Sequence, residues 1–188
     1  MDEQPTQLIN QTRERVAPKP GQPERYDFEY ERNGTANNFL FTEPLAGWRK
    51  VTIRKKRTAV DWAFEIKELL DSDYPEAEKL ILVCDNLNTH KPASFYQAFC
   101  PGEARRLLNR LEIHYTPEHG SWLNIAEIEL SALTRQCLNR RMPDIETLRQ
   151  QTAVWYNQRN ANQMSVTWQF TTDNARIKLK KLYPQIED

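Results

Sequence analysis

Apolar and polar residues follow a strand-like period in the first third of this chain and a mixture of strand-like and helical periods further on. The early apolar runs predict four strands, at residues 1–9, 26–30, 38–41 and 48–55. Aromatic and acidic residues alternate over 26–30, which is the pattern of a half-buried strand. Asn33-Gly34 lies between two of the runs and predicts a hairpin turn. This part of the chain is therefore expected to form an antiparallel sheet.

Strand and helix patterns alternate in the rest of the chain. The predicted elements are a helix over 59–70, a strand at 80–85, a helical stretch over 95–110, a strand at 111–115, a helix over 123–137, a long helix after 144 and a helical turn near 175–182. Thr58, with Asp61 three positions on, predicts a capping box. The order of elements predicts an α/β fold: a mixed sheet of three antiparallel strands plus parallel strands, flanked by helices.

Composition restricts the class of protein. Hydrophobic residues make up 39% of the 188 and only five residues are glycine, which excludes a fibrous protein. No apolar run approaches the ~20 residues that a membrane-spanning helix needs. Cys84, Cys100 and Cys137 are spaced too widely for a zinc site or a disulfide framework. They are expected to be reduced and mostly buried, as in a cytoplasmic protein.

Charge is balanced in total but uneven along the chain. The 26 basic and 26 acidic residues cancel, yet basic residues are concentrated in three blocks, at 49–57, 135–149 and 176–181. Such patches can hold phosphate groups even on a neutral protein, and a solvated charged face is the equally common alternative. His90 and His119 lie in predicted turns near strand ends, where each either positions a phosphate or is simply exposed.

Asp85 is the strongest single candidate for chemistry. The apolar run Leu80–Cys84 predicts a strand buried on both faces, and it ends at this carboxylate. Open α/β sheets place their ligands at the C-terminal ends of strands, and burying an unpaired carboxylate is costly unless a metal or hydrogen bonds compensate. Asp85 is therefore a candidate metal ligand or general base. The alternative is an N-cap residue for a helix that starts near Pro92.

Two acids share the predicted helix over 123–137. Glu127 lies between Leu123 and Leu130, at the edge of the apolar stripe, whereas Glu129 is about 200° further round the helix. We expect Glu127 to face the sheet and Glu129 to be solvated, so that replacing Glu129 has little effect. An ion pair between Glu127 and an arginine is the alternative for the first acid.

Several segments resemble the catalytic domain of mariner-related bacterial insertion-sequence transposases, which are DDE superfamily endonucleases. An Asp-Asn pair follows the apolar strand at Asp85, and a Pro-containing turn at 115–122 is followed by Leu123-Asn124-Ile125-Ala126-Glu127, which matches the family's Leu-Asn-x-x-Glu. Asp2-Glu3 resembles the first Asp-Glu of that family, and residues 32–37 and 170–178 are also similar to it. The resemblance spans nearly the whole chain and implies a ribonuclease-H-like fold.

The resemblance also implies a set of site residues. Asp2, Asp85 and Glu127 are the expected catalytic and metal-binding residues for two divalent ions, Mg²⁺ or Mn²⁺, with Asp2 and Asp85 bridging the two. The implied activity is metal-dependent DNA cleavage and strand transfer at insertion-sequence ends. The implied partners are DNA and a second copy of the chain in a homodimer, without a membrane. Asn86 and Asn124 are expected either to support the acids or to cap loops.

At its N-terminus the chain departs from this family, because Met1 directly precedes the first acid and no helix-turn-helix module stands before it. We therefore expect a fragment in three parts: a truncated first strand and Pro-rich loop at 1–25, the catalytic core at 26–160 and a basic tail at 161–188. The alternatives are an inactive DNA-binding or dimerisation remnant and a nuclease without sequence-specific recognition. Trp48, Trp155 and Trp168 are expected to pack in the core rather than on DNA.

Overall fold

Five strands in two hydrogen-bonded groups form the centre of the molecule. The computed structural model describes residues 1–13, 17–23, 28–117, 124–167, 169, 171–178 and 180. Strands β1 (Asp2–Gln11), β2 (Tyr30–Glu43) and β3 (Trp48–Arg54) form an antiparallel sheet in the order β1-β2-β3. Strands β4 (Leu80–Cys84) and β5 (Leu111–Tyr115) pair in parallel. A mixed α/β architecture with three antiparallel strands plus parallel strands is thus confirmed.

Strand β2 is longer than the sequence pattern indicated. It passes straight through Asn33-Gly34, where a hairpin turn was expected, and that expectation is wrong. The pairing with β1 shifts there, because Gln7 pairs with Thr35 while Ile9 pairs with Arg32. Gly34 has a φ of 85°, which a glycine adopts without steric cost, so the pair of residues forms a bulge rather than a turn. The expected strand at 26–30 is not formed at residues 28 and 29, and residues 26 and 27 lie outside the described residues.

The start of β1 lies beside β4. The amino group of Met1 donates a hydrogen bond of 2.6 Å to the carbonyl oxygen of Val83, which joins the antiparallel sheet to the parallel pair. Strand β4 buries Leu82 and Cys84, but Ile81 is 65% exposed and Val83 45% exposed. The expectation that this strand is buried on both faces is therefore wrong for the described part of the chain.

Among the described residues, six helices surround the strands, and several begin where the sequence predicted. Their bounds are α1 Ala59–Glu68, α2 Ala93–Ala98, α3 Pro101–Asn109, α4 Ile125–Leu133, α5 Ile145–Ala161 and α6 Thr172–Lys178. Single π-helical turns extend α1 over Leu69–Asp73 and α4 over Thr134–Leu138. The capping box is confirmed, because the Thr58 side chain accepts from the Asp61 N–H while the Asp61 carboxylate accepts from the Thr58 N–H. Asp144 caps α5 in a similar way.

The antiparallel sheet has an apolar core on each face. Phe39 and Phe41 of β2 pack on the side of α1, α2 and α3, whereas Ala36 and Leu40 pack on the side of α4 and α5. This alternation follows from the two-residue period of a strand. Trp155 is buried and Trp48 packs edge-on against Tyr74 at 5.4 Å, so both tryptophans belong to the protein interior as expected.

Other expectations are met in part. Cys84 and Cys137 are buried free thiols, and Cys100 is an exposed one. Among the described residues, none of the helices has the length and apolar character needed to cross a membrane. Trp168 lies outside the described residues, as does the end of the helical turn that was expected near 175–182.

Candidate active site

Asp85 directly follows β4 and is held from one side by a histidine. Its side chain is 34% exposed, and Nδ1 of the fully buried His90 lies 2.7 Å from its Oδ1. Helix α2 begins eight residues later with Pro92 in the N-cap position, so the alternative of a capping aspartate is wrong. The same ring nitrogen lies 3.3 Å from the carbonyl oxygen of Asp85, and Oδ1 of Asp85 accepts no well-aligned hydrogen bond from the described residues.

Asp2 is placed by its neighbours on both sides. The amino group of Met1 is fixed on Val83 of β4, and the carbonyl oxygen of Met1 accepts a hydrogen bond of 3.1 Å from Nδ2 of Asn124. Because Met1 is tied to both elements, Asp2 lies between the end of β4 and the beginning of α4. Its backbone pairs with that of Leu40 in β2, the middle strand of the antiparallel sheet.

Glu127 lies in the first turn of α4. Asn124 begins this helix and accepts a hydrogen bond from the Ala126 N–H, which confirms that Asn124 caps the helix. Because the same side chain binds Met1, the cap also sets the distance between α4 and β1. Glu127 is exposed and makes no ion pair with any described residue, so the alternative of an arginine partner finds no support there.

The first acid and the third acid line one open cleft of about 340 Å³ between β1 and α4. Its lining residues are Asp2, Glu3, Gln4, Glu127, Leu130, Ser131, Thr134 and Arg135. Gln4 and Thr134 hydrogen bond across its floor at 3.1 Å. Seven of its eight lining residues are polar or charged, and the cleft is open to solvent.

The three acids interact electrostatically. Burial raises the pKa of Asp2, the Glu3 N–H that bonds its carboxylate opposes this, and the negative charges of Asp85 and Glu127 raise it further, to about 6. The fold therefore brings Asp2 within range of the charges of Asp85 and Glu127, although the three residues come from distant segments. Among the described residues, no group of three His, Cys, Asp or Glu side chains is close enough together to hold a metal ion as it stands.

The chemistry of these three side chains fits a hard divalent cation. All three offer carboxylate oxygens, the ligands that Mg²⁺ and Mn²⁺ prefer. The mutual repulsion that raises the pKa of Asp2 is relieved when a cation lies between the acids. Binding would require the exposed Glu127 side chain to turn toward Asp2 and Asp85, for which the open cleft leaves room.

The sequence did not predict the positions of His90 and Glu3. His90 is fully buried, its Nε2 lies 2.9 Å from Oε1 of Glu3, and its ring lies 5.3 Å from that of Trp62. It is therefore neither exposed nor placed to hold a phosphate directly. Burial lowers the pKa of His90, but hydrogen bonds to Asp85, Cys84 and Glu3 outweigh it and raise the pKa to about 11. His119 lies outside the described residues.

Glu129, not Glu127, is the buried acid of α4, which reverses the sequence-based expectation. Its carboxylate lies 3.1 Å from Nε of the fully buried Arg49 and 3.0 Å from a guanidinium nitrogen of Arg159. Two arginines from β3 and α5 therefore compensate for its burial. The expectation that replacing Glu129 is silent is wrong on this geometry.

Much of the first basic block is neutralised within the fold. Arg49 binds Glu129, Lys50 binds Glu68 and Asp73, and Arg54 binds Glu65. Residues 55–57 are exposed, as is Arg135 in the cleft. The basic residues available to a phosphate backbone are thus fewer than the sequence blocks indicated.

A larger groove of about 470 Å³ lies along β4 and is mainly apolar. It is lined by Trp48, Ile81 and Val83 among others, and Asp2, Asp85 and Glu127 do not line it. The larger groove contains none of the three acids, whereas the smaller cleft is lined by Asp2 and Glu127. The smaller cleft is therefore the better candidate for an active site.

Comparison with known protein families agrees with the geometry. The model of a DDE superfamily endonuclease matches residues 1–149, which include Asp2, Asp85 and Glu127. No curated protein and no solved structure gives a significant match. Since the family model covers most of the chain, the protein belongs to the DDE superfamily of endonucleases and is an enzyme by family.

Proposed function

We propose that this chain is the catalytic domain of a mariner-related insertion-sequence transposase, which cuts DNA at the ends of the element and joins them to a target. The observation that supports the proposal is that the charges of Asp85 and Glu127, from the end of β4 and from α4, both contribute to raising the pKa of Asp2 in β1 to about 6. Family membership supports a nuclease acting on DNA.

The proposed fold is one ribonuclease-H-like sheet in the order β3-β2-β1-β4-β5. The hydrogen bond from Met1 to Val83 supports it, since this bond places β1 beside β4. In that arrangement Asp2 and Asp85 lie on adjacent strands, and α4 brings Glu127 to the same edge.

The proposed role of the three acids is to hold two divalent ions, Mg²⁺ or Mn²⁺. What bound ions would supply is activation of the attacking water or 3′-hydroxyl and stabilisation of the leaving oxygen. Asp2 and Asp85 would hold both ions, and Glu127 would complete one site from the solvent side of the cleft. Asn124 fixes the spacing between α4 and β1 that this role requires. Arg135, exposed at the cleft, would contact the DNA backbone.

A second candidate function is a chain that binds DNA, or a second copy of itself, without cutting. One observation favours it: among the described residues the acids do not stand close enough together to hold a metal ion. The active homodimer stays a prediction.

Manganese binding and DNA nicking by the purified chain test the first proposal. Wild type should bind Mn²⁺ in calorimetry and nick plasmid DNA with Mn²⁺. Asp85→Asn should reduce both the Mn²⁺ affinity and the nicking rate by more than ~100-fold, because removing only a supporting partner of a metal ligand already costs up to that much. Asp73→Asn is the matched control, because Asp73 is a similarly exposed aspartate that binds Lys50 away from the cleft. Equal nicking by wild type and Asp85→Asn would contradict the site. Binding of DNA without Mn²⁺ binding would favour the second candidate.

A further inference from the structure

A buried line of three ionisable side chains runs behind the cleft. Glu3 and His90 have side-chain exposures of 2% and 0%, and Nε2 of His90 lies 2.9 Å from Oε1 of Glu3. The other ring nitrogen lies 2.7 Å from Oδ1 of Asp85. His90 thus bridges a buried glutamate and the partly exposed Asp85.

The backbone around His90 is fixed from several directions. The Tyr115 hydroxyl of β5 donates a hydrogen bond of 2.6 Å to the carbonyl oxygen of His90, and the His90 N–H bonds the carbonyl oxygen of Leu87. The Ser94 hydroxyl bonds the carbonyl oxygen of Thr89 beside it. These hydrogen bonds hold the turn that carries the imidazole, so the imidazole cannot move with the Asp85 side chain if that side chain rotates.

Consecutive residues of β1 serve the two sides of this arrangement. Both residues line the cleft, but the Glu3 carboxylate is only 2% exposed and lies 2.9 Å from His90. One strand therefore carries an acid of the site and the anchor of the histidine that contacts another acid.

Burying this line of charges is costly, and a neutral core would stabilise the fold at least as well. Its geometry has a specific effect, because Oδ1 of Asp85 is buried and lies 2.7 Å from Nδ1 of His90. The Asp85 side chain is 34% exposed, which leaves its other carboxylate oxygen accessible from solvent. Carboxylates that bind metals are commonly oriented by such partners.

We propose that Glu3 and His90 are positioning residues that fix the Asp85 carboxylate with one oxygen held inside and the other presented to a divalent cation. This inference rests on the proposed function, in which Asp85 binds the metal. It assigns a role to the second residue of the Asp2-Glu3 pair and to the buried histidine.

The test is Mn²⁺ binding by calorimetry on the full chain. Glu3→Ala should weaken Mn²⁺ binding by about 10- to 100-fold, the usual loss when a ligand's supporting partner is removed. Glu3→Gln keeps an oxygen that accepts from Nε2 and should restore most of the affinity. The matched control is Glu65→Ala, because Glu65 is also a buried glutamate, 3% exposed, but forms its ion pair with Arg54 of β3 and not with His90. It should lose stability without losing Mn²⁺ affinity.

Nuclear magnetic resonance of histidine side chains adds a readout that needs no metal and no activity. Wild type should show an imidazole N–H proton of His90 protected from solvent exchange, and Glu3→Gln should shift it. The absence of a protected His90 proton in the folded wild type would overturn the inference.

The outcomes separate this inference from the proposed function. If Asp85→Asn loses Mn²⁺ binding while Glu3→Ala binds like wild type, the positioning role is wrong and the metal site stands. If wild type and Asp85→Asn bind Mn²⁺ equally, the proposed function fails and this inference fails with it.

Discussion

At the residue scale, the two acids of α4 show what determines which face of a helix is buried. With the buried Ala126, Leu130 and Leu133 as the centre of the stripe, Glu127 lies roughly 90° to one side of it and Glu129 roughly 70° to the other at ~100° per residue. Periodicity separates them only slightly, so the neighbouring elements make the difference. Arg49 and Arg159 lie on the side of Glu129, and the start of β1 lies on the side of Glu127.

Glu129→Ala is accordingly expected to destabilise the protein by about 3 kcal/mol, since it leaves the buried guanidinium of Arg49 without its carboxylate. Glu127→Ala, on the same helix, should change the free energy of unfolding by less than about 0.5 kcal/mol, because Glu127 is exposed. Urea unfolding of both variants measures the difference. Equal losses would mean that the ion pair with Arg49 does not contribute as described.

At the scale of elements, an ion-pair network joins the turn after α1 to α3. Arg106 binds both Asp71 and Glu103, and Lys67 binds the same two carboxylates. Hydrogen bonds from Arg106 and Lys67 lower the pKa of Asp71 to about 2, from 3.8, and that of Glu103 to about 2, from 4.5. These carboxylates are more acidic in the folded state, so their contribution to stability is present above about pH 4.5 and is lost as the pH falls toward 2.

Arg106→Ala should therefore lower the free energy of unfolding by about 0.5–1 kcal/mol at pH 7, the size expected of an exposed network. The difference from wild type should shrink as the pH falls below 4 and in high salt. Denaturant unfolding at pH 7 and pH 3 measures it. Arg105→Ala is the control, because Arg105 is the adjacent residue of α3 and has no ion pair among the described residues. A difference that grows toward low pH would contradict the sign.

At the scale of the whole molecule, β2 connects two apolar cores through one strand. Phe39 belongs to the core on the side of α1, and Leu40 to the core on the side of α4 and α5. Both are fully buried. Because adjacent residues of one strand support both cores, the two faces of the sheet should unfold together.

Phe39→Ala and Leu40→Ala are each expected to cost about 3–4 kcal/mol, the usual range for a large buried side chain. Each variant should still unfold in one transition, with tryptophan fluorescence and far-ultraviolet circular dichroism giving the same midpoint. Phe28→Ala is the control, because Phe28 is 89% exposed and its loss should have little effect. Separate transitions in either core variant would show that the two faces unfold independently.

The sequence alone determined the local features of this protein. The helical spacing behind Thr58, the caps at Thr58 and Asp144, and the strand at Leu111–Tyr115 follow from side chains within a few residues of each other. The turn expected at Asn33-Gly34 failed, because pairing with β1 outweighed a local preference.

Only the tertiary structure decided which side chains meet. Sequence resemblance named Asp2, Asp85 and Glu127, and the position of Asp2 relative to the other two depends on contacts between distant segments, such as Met1 with Val83, 82 residues apart, and with Asn124, 123 residues apart. The Glu3–His90–Asp85 line and the burial of Glu129 depend on such contacts too. Local periodicity carries no information on these pairs, because the partner of a buried charge is set by the packing of distant elements.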